Sequence, residues 1–166
     1  MIMRIFGRPK FSKSWRSAEG SSLVELAFAL PILTSMLLGA AEFARLAYAS
    51  IEVANAAHAA ALYASSSVAA SSDSGGIANA ANSDAGDLSG GNKISVSSIS
   101  TSCACADTTY TPSSCSDNST CVNNNTSMVT TVTVKTQSNF YPLIHRTGEA
   151  LSYTLHGTST QVVSNE

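Results

Sequence analysis

Gly20-Ser21-Ser22-Leu23-Val24-Glu25 opens an apolar run that continues to Ala41, separating a basic leader from everything that could fold as a domain. From Leu23 to Ala41 the only charged side chain is Glu25. Nineteen residues at about 1.5 Å each reach roughly 28 Å, close to the ~30 Å hydrocarbon thickness of a bilayer. The run therefore reads as a membrane-spanning helix with an acid near its start. An ionised side chain in such a place costs about 2.5–3.5 kcal/mol on insertion scales, which makes Glu25 a candidate functional residue.

Working outward, the charge is uneven. Arg4, Arg8, Lys10, Lys13 and Arg16 precede Gly20, against Glu19 alone. After Gly20 four basic residues (Arg45, Lys93, Lys135 and Arg146) face ten acids, a formal charge of −6. A basic flank before an apolar span places the N-terminus in the cytoplasm and the C-terminal domain outside. An acidic remainder with no basic patch argues against nucleic acid as a partner. With 166 residues in all, the chain has room for the anchor and one small domain.

A Gly, four residues and then Glu, in front of an apolar helix, resembles the type IV prepilin signal. The longer string Gly20-Ser-Ser-Leu-Val-Glu-Leu-Ala-Phe-Ala-Leu-Pro31, followed by Gly39-Ala-Ala-Glu-Phe-Ala-Arg45, is similar to the TadE-like family, minor pilins or pseudopilins of the tight-adherence (Flp) pilus machinery. The close similarity covers residues 20 to about 55. It implies a cut after Gly20 by a prepilin peptidase on the cytoplasmic side, with Ser21 as the new N-terminus and the apolar helix kept. It also implies a role for Glu25, fifth in the processed chain, as partner of the new α-amino group of a neighbouring subunit. Two uncompensated charges in or near an apolar layer are expensive, and pairing them offsets part of that cost while fixing the register between subunits. The plainer alternative for Glu25 is an acid stabilised by the helix dipole and headgroup water. A Sec signal peptide competes with the whole reading, since Gly39-Ala40-Ala41 and Ala47-Tyr48-Ala49 offer small-x-small sites. Against it, the apolar run exceeds the ~7–15 residues of an h-region and contains Glu25.

Within the span Pro31 removes a backbone hydrogen bond and crowds the carbonyl of Ala27, so a kink or local unwinding is expected over 27–31. Beyond Ala41 an Ala-rich stretch without Gly or Pro continues the helix to about Ser65, with Glu42 and Arg45 as an i,i+3 pair. Phe43, Ala47, Ser50, Ala54, Ala57, Ala61 and Ala64 line up as one face of mostly small residues, which either permits close helix packing or simply reflects helix propensity. Residues 66–92 are rich in Ser, Ala, Asn, Asp and Gly and read as a linker punctuated by Gly75-Gly76 and Gly90-Gly91, with a short helix at 77–82. After that the period changes to two. Ile94 with Val96, Met128 with Val132 and Val134, and Leu151 with Tyr153 and Leu155 mark strands with one buried face. Phe140-Tyr-Pro-Leu-Ile, before Gly148, is expected to close the core edge.

Cys103, Cys105, Cys115 and Cys121 fall in the exported part, where an even count reads as disulfides. A Cys103–Cys105 bond would close a very tight ring, so each of these is expected to join Cys115 or Cys121. The rival is a zinc site, but Cys-x-Cys followed by widely spaced single cysteines lacks the usual paired spacing. His58, His145 and His156 are scattered, with no second ligand at helical or strand spacing. No Gly-x-Ser-x-Gly elbow, phosphate loop, His-Glu-x-x-His or calcium loop appears. No enzymatic activity, cofactor, metal or small-molecule substrate is expected.

The expected architecture is α+β: a long N-terminal transmembrane helix continuing into a pilin-like domain with a small antiparallel sheet. Its divisions are a cleaved leader at 1–20, the span at 21–41, an extramembrane continuation at 42–65, the linker at 66–92 and a disulfide-stapled β-rich domain at 93–166. The expected partners are a prepilin peptidase, other pilin or pseudopilin subunits, the inner-membrane assembly platform and the membrane itself. The expected location is the inner membrane, single-pass, with the filament as a further destination. The alternative is a signal-anchored or secreted disulfide-stabilised binding domain with no filament role.

Overall fold

The computed structural model describes residues 17–88, 90–107, 112, 114–115, 118–143 and 151–163. The basic residues before Ser17, together with Ile144, His145 and Gly148, lie outside these residues. The chain divides into two compact units at the boundary between Ala41 and Glu42. This is the boundary at which the sequence places the end of the span.

A single helix, α1 (Ser17–Ser65), runs across that boundary. In the first unit every side chain from Ser22 to Ala41 is exposed, including Leu23, Phe28, Leu33 and Leu37. The helix is unbroken through Pro31, so the local unwinding expected at 27–31 does not occur. Thr34 Oγ1 donates back to the carbonyls of Leu30 (2.9 Å) and Pro31 (3.0 Å), and Ser35 Oγ to that of Ile32 (2.8 Å). These hydroxyls are thereby satisfied within the helix, which is what an apolar surrounding requires of them.

In the second unit the same helix buries Ala49, Val53, Ala56, Ala57, Ala60, Ala61 and Ala64. The spacing of three and four makes one stripe, and it faces a three-stranded antiparallel sheet of order β1 (Ser95–Cys105), β2 (Met128–Phe140), β3 (Tyr153–Val162). This corrects the face read from the sequence: Phe43, Ser50 and Ala54 are exposed, and only Ala57, Ala61 and Ala64 of that set are buried. The alanines bring the helix backbone against the sheet. Thr136 Oγ1 donates to the carbonyl of Val53 (2.8 Å), and a Cβ on Gly157 would collide with that same carbonyl. Glycine is what lets β3 pass beneath the helix.

β2 is the central strand and alternates cleanly. Thr130, Val132, Val134, Thr136, Ser138 and Phe140 are buried, and the residues between them carry hydroxyls, amides and Lys135 on the other face. Across that outer face Ser102 bonds Thr131 and Thr133 bonds Thr160, each at 2.8 Å. On β1 the register slips between Val96 and Ser98, leaving Ser97 as a bulge. The slip moves the inward phase from Ile94 and Val96 to Ile99, Cys103 and Cys105. Leu155 packs on the core, but Leu151 and Tyr153, expected to share its buried phase, are exposed. They stand level with and beyond Phe140, the last buried residue of β2.

The stretch expected as a linker holds two helices, α2 (Val68–Ser72) and α3 (Ser74–Asp84), and a 3-10 turn at Gly90–Asn92. Gly75 and Gly76 lie in the first turn of α3, and Ile77, Ala81 and Ala85 enter the core. Asp73 caps α3 by accepting the Gly76 N–H (3.0 Å) and also accepts the Tyr63 hydroxyl of α1 (2.7 Å). A Cβ on Gly76 would run into that tyrosine. One aspartate thus starts α3 and ties it to α1.

Candidate functional site

The motif sits at the start of α1, with Gly20 and Ser21 in its first turns and Glu25 just beyond. Glu25 is exposed, and among the described residues its carboxylate makes no ion pair within the chain; the one salt bridge there is Glu42–Arg45. Around it the exposed neighbours are Leu23, Val24, Leu26 and Phe28. An acid set alone among apolar side chains on a naked helix is a poor arrangement for one isolated chain in lipid.

Where the apolar span stops, Glu42 does two things. Its Oε2 pairs with Arg45 Nη1 at 3.0 Å, the pair legible in the sequence. Its Oε1 accepts the backbone N–H of Leu143 at 2.7 Å, which the sequence did not reveal because it joins residues a hundred positions apart. The Arg45 guanidinium also lies over the Phe140 ring, 5.4 Å from its centre. The stretch of α1 that opens the second unit and the end of β2 are therefore fastened together at this one place.

The opposite end of the sheet carries the cysteines. Cys103 joins Cys115 and Cys105 joins Cys121, with Cα separations of 5.4 and 5.3 Å. Both bonds link β1 to the segment leading into α4 (Ser119–Asn123) or to α4 itself, as the avoidance of a Cys103–Cys105 ring leads one to expect. Among the described residues no group of His, Cys, Asp and Glu is placed to hold a metal ion. His58 Nδ1 lies 3.4 Å from both Ser159 Oγ and the Gln161 amide, on the rim of the helix–sheet contact. An open hollow of about 380 Å³ between α1, α2 and the Asp73 cap is lined by Tyr63, Ser66, Ser67, Ala69, Ala70 and Asp73. The Asp73 carboxyl is held below the ordinary carboxylate range, first by the Gly76 N–H and then by the Tyr63 hydroxyl. Both partners serve the α3 cap and its tie to α1.

These features define a class: an α+β protein on one long helix whose first half is apolar, exposed and of a length to serve as a membrane anchor. More particularly, residues 20–62 match the model of the TadE-like protein family. The match begins at Gly20 itself, takes in Glu25 and Pro31, and runs through the Ala-rich half of α1. The resemblance read from the motif is thereby borne out. The family is associated with the Tad pilus and is not a family of enzymes. No curated protein and no solved structure matches the chain.

Proposed function

We propose that this protein is a minor pilin or pseudopilin of a Flp/Tad-type pilus, held in the inner membrane by residues 21–41 and processed after Gly20 by a prepilin peptidase. The observation that carries the reading is the coincidence of three features: the family match opens at Gly20, an exposed apolar helix charged only at Glu25 follows it, and the second compact unit starts at Glu42. In this reading Ser21 becomes the new N-terminus and its ammonium pairs with Glu25 of a neighbouring subunit. That pairing neutralises two charges that are otherwise isolated in lipid and sets the axial offset between subunits. The exposed half of α1 then moves from the bilayer into a bundle of like helices. The unit after Glu42 faces the extracytoplasmic side, where an oxidising environment keeps both disulfides closed. The protein is a substrate of the peptidase and a partner of other pilin subunits and the assembly platform, with no chemistry of its own.

Deleting the chain from its own cell is expected to abolish or sharply reduce pili, and the unaltered chain to restore them. Glu25→Ala is expected to fail in restoration while its extracytoplasmic unit still accumulates with both disulfides formed. Undiminished pili in the deletion would remove the pilus role. Full restoration by Glu25→Ala would remove the register role of that carboxylate.

A further inference from the structure

β3 is an edge strand with one side open. Val163 donates its N–H to the Thr130 carbonyl at 2.8 Å, continuing the register that pairs Val162 with Thr131. Antiparallel pairs alternate between bonded and unbonded, so Val163, Gln161, Ser159, Gly157 and Leu155 turn their backbone groups toward β2. β2 fits the same alternation on its other side, where the Ser127 carbonyl accepts the Ala106 N–H. Thr154, His156, Thr158, Thr160 and Val162 therefore aim N–H and C=O away from the sheet. Among the described residues no backbone group bonds to them there. All five side chains are exposed.

The other edge of the sheet is built differently. β1 is interrupted by the bulge at Ser97, and Cys103 and Cys105 tie its end to Cys115 and Cys121. Natural sheets blunt their edges with bulges, cover, proline or charge. β3 keeps an unbroken register over 10 residues and contains no proline, lysine or acid. Such a row of unpaired groups is a template for one more strand.

The surroundings of the row define that strand. On the inner face His58 of α1 lies beside Ser159 and Gln161. Ala54 and Ser50, four and eight residues before it, and Phe43, seven before Ser50, share that side of the helix and are exposed. A strand laid along β3 would cover them with its inward side chains, which are therefore apolar. On the outer face Lys135 stands opposite Thr158, exposed and without an ion pair among the described residues. Two strand spacings, roughly 9.5 Å, separate it from an added strand, a gap that lysine and glutamate side chains bridge together. The sheet itself contains no acid, so a second copy offering its own β3 would leave Lys135 unmatched.

We infer that the open edge of β3 takes an extended segment of a different polypeptide as a fourth, antiparallel strand, apolar toward α1 and carrying a carboxylate beside Lys135. The inference stands whether or not residues 21–41 cross a membrane.

The test uses the isotope-labelled full chain in detergent micelles, read by nuclear magnetic resonance, and a heptapeptide valine-threonine-valine-glutamate-valine-threonine-valine. In one form its two inner valines are N-methylated, which blocks self-assembly and leaves the amides of the polar residues free. In the other form the threonines and the glutamate are N-methylated instead. The first form is expected to slow hydrogen exchange at Thr154, His156, Thr158, Thr160 and Val162, and the second to leave it unchanged. Lys135→Gln is expected to weaken the first form about two- to fivefold at low salt; an affinity unchanged by it would overturn the carboxylate. Equal binding of the two forms would mean that side chains alone are recognised and would overturn the added strand. No slowing by the first form at millimolar concentration would do the same. Slowing in the chain alone that grows with its concentration would make a second copy the occupant, and would also overturn the inference.

Discussion

The two halves of α1 have one backbone and opposite side-chain logic. From Ser22 to Ala41 the helix carries large apolar side chains and buries none of them. From Glu42 to Ser65 the residues it buries are six alanines and Val53. Large exposed side chains seek an apolar solvent or many neighbouring helices. Small buried ones let a sheet come within hydrogen-bond distance of the helix backbone, as Thr136 does at Val53. Among the described residues the first half buries no side chain, and the second is packed against the sheet. The difference assigns surroundings to each half without reference to any relative.

Placing a polar side chain in each half tests this contrast hardest. Val53→Asp buries an uncompensated carboxylate beneath the sheet and is expected to cost about 3–5 kcal/mol or more, unfolding unit 2. Leu33→Ser is expected to leave its melting unchanged. Thermal unfolding followed by near-ultraviolet circular dichroism in detergent separates the two. The next effect comes from the far end of the sheet. The disulfides close loops with sequence separations of 12 and 16, and a loop of that size stabilises by about 3 kcal/mol. Cys105→Ser with Cys121→Ser is expected to lower denaturant stability by that order, and thiol labelling of the native protein to find almost no free cysteine.

Gly157→Ala tests how tightly the small half is pressed. Its methyl meets the Val53 carbonyl, and the expected loss is about 1–3 kcal/mol, read from the denaturation midpoint. The smallest effect is the Asp73 cap. Its pKa is lowered on folding, so its contribution is present above the unfolded value of 3.8 and is lost as pH falls through the lowered one. Asp73→Asn is expected to flatten the acid limb of the stability profile, with its small loss of stability seen at pH 7, where the carboxylate's contribution is fully present, and vanishing in acid. An unchanged acid limb would mean that the cap is not coupled to folding.

Much of this was legible in advance because it is local. The Gly20–Glu25 motif, the end of the apolar run at Ala41, the helix end near Ser65 and the period of β2 are each readable from a few consecutive residues. The cysteine pairing was narrowed by ring size alone. What escaped depends on distant residues. The alanines of α1 offer several small faces, and only Gly157 and Thr136 decide which one is used. Residues 66–92 have the composition of a linker, yet Tyr63 meeting Asp73 and Gly76 turns part of it into packed helix. The bulge at Ser97 and the bond from Leu143 to Glu42 leave no mark in the local pattern.

The most direct test of the central claim is the intact mass and N-terminal sequence of the protein from the membrane fraction, with and without a prepilin peptidase. The expected result is a start at Ser21 that depends on the peptidase. A start at Glu42 or Ser50, or an uncut Met1, would contradict the pilin reading.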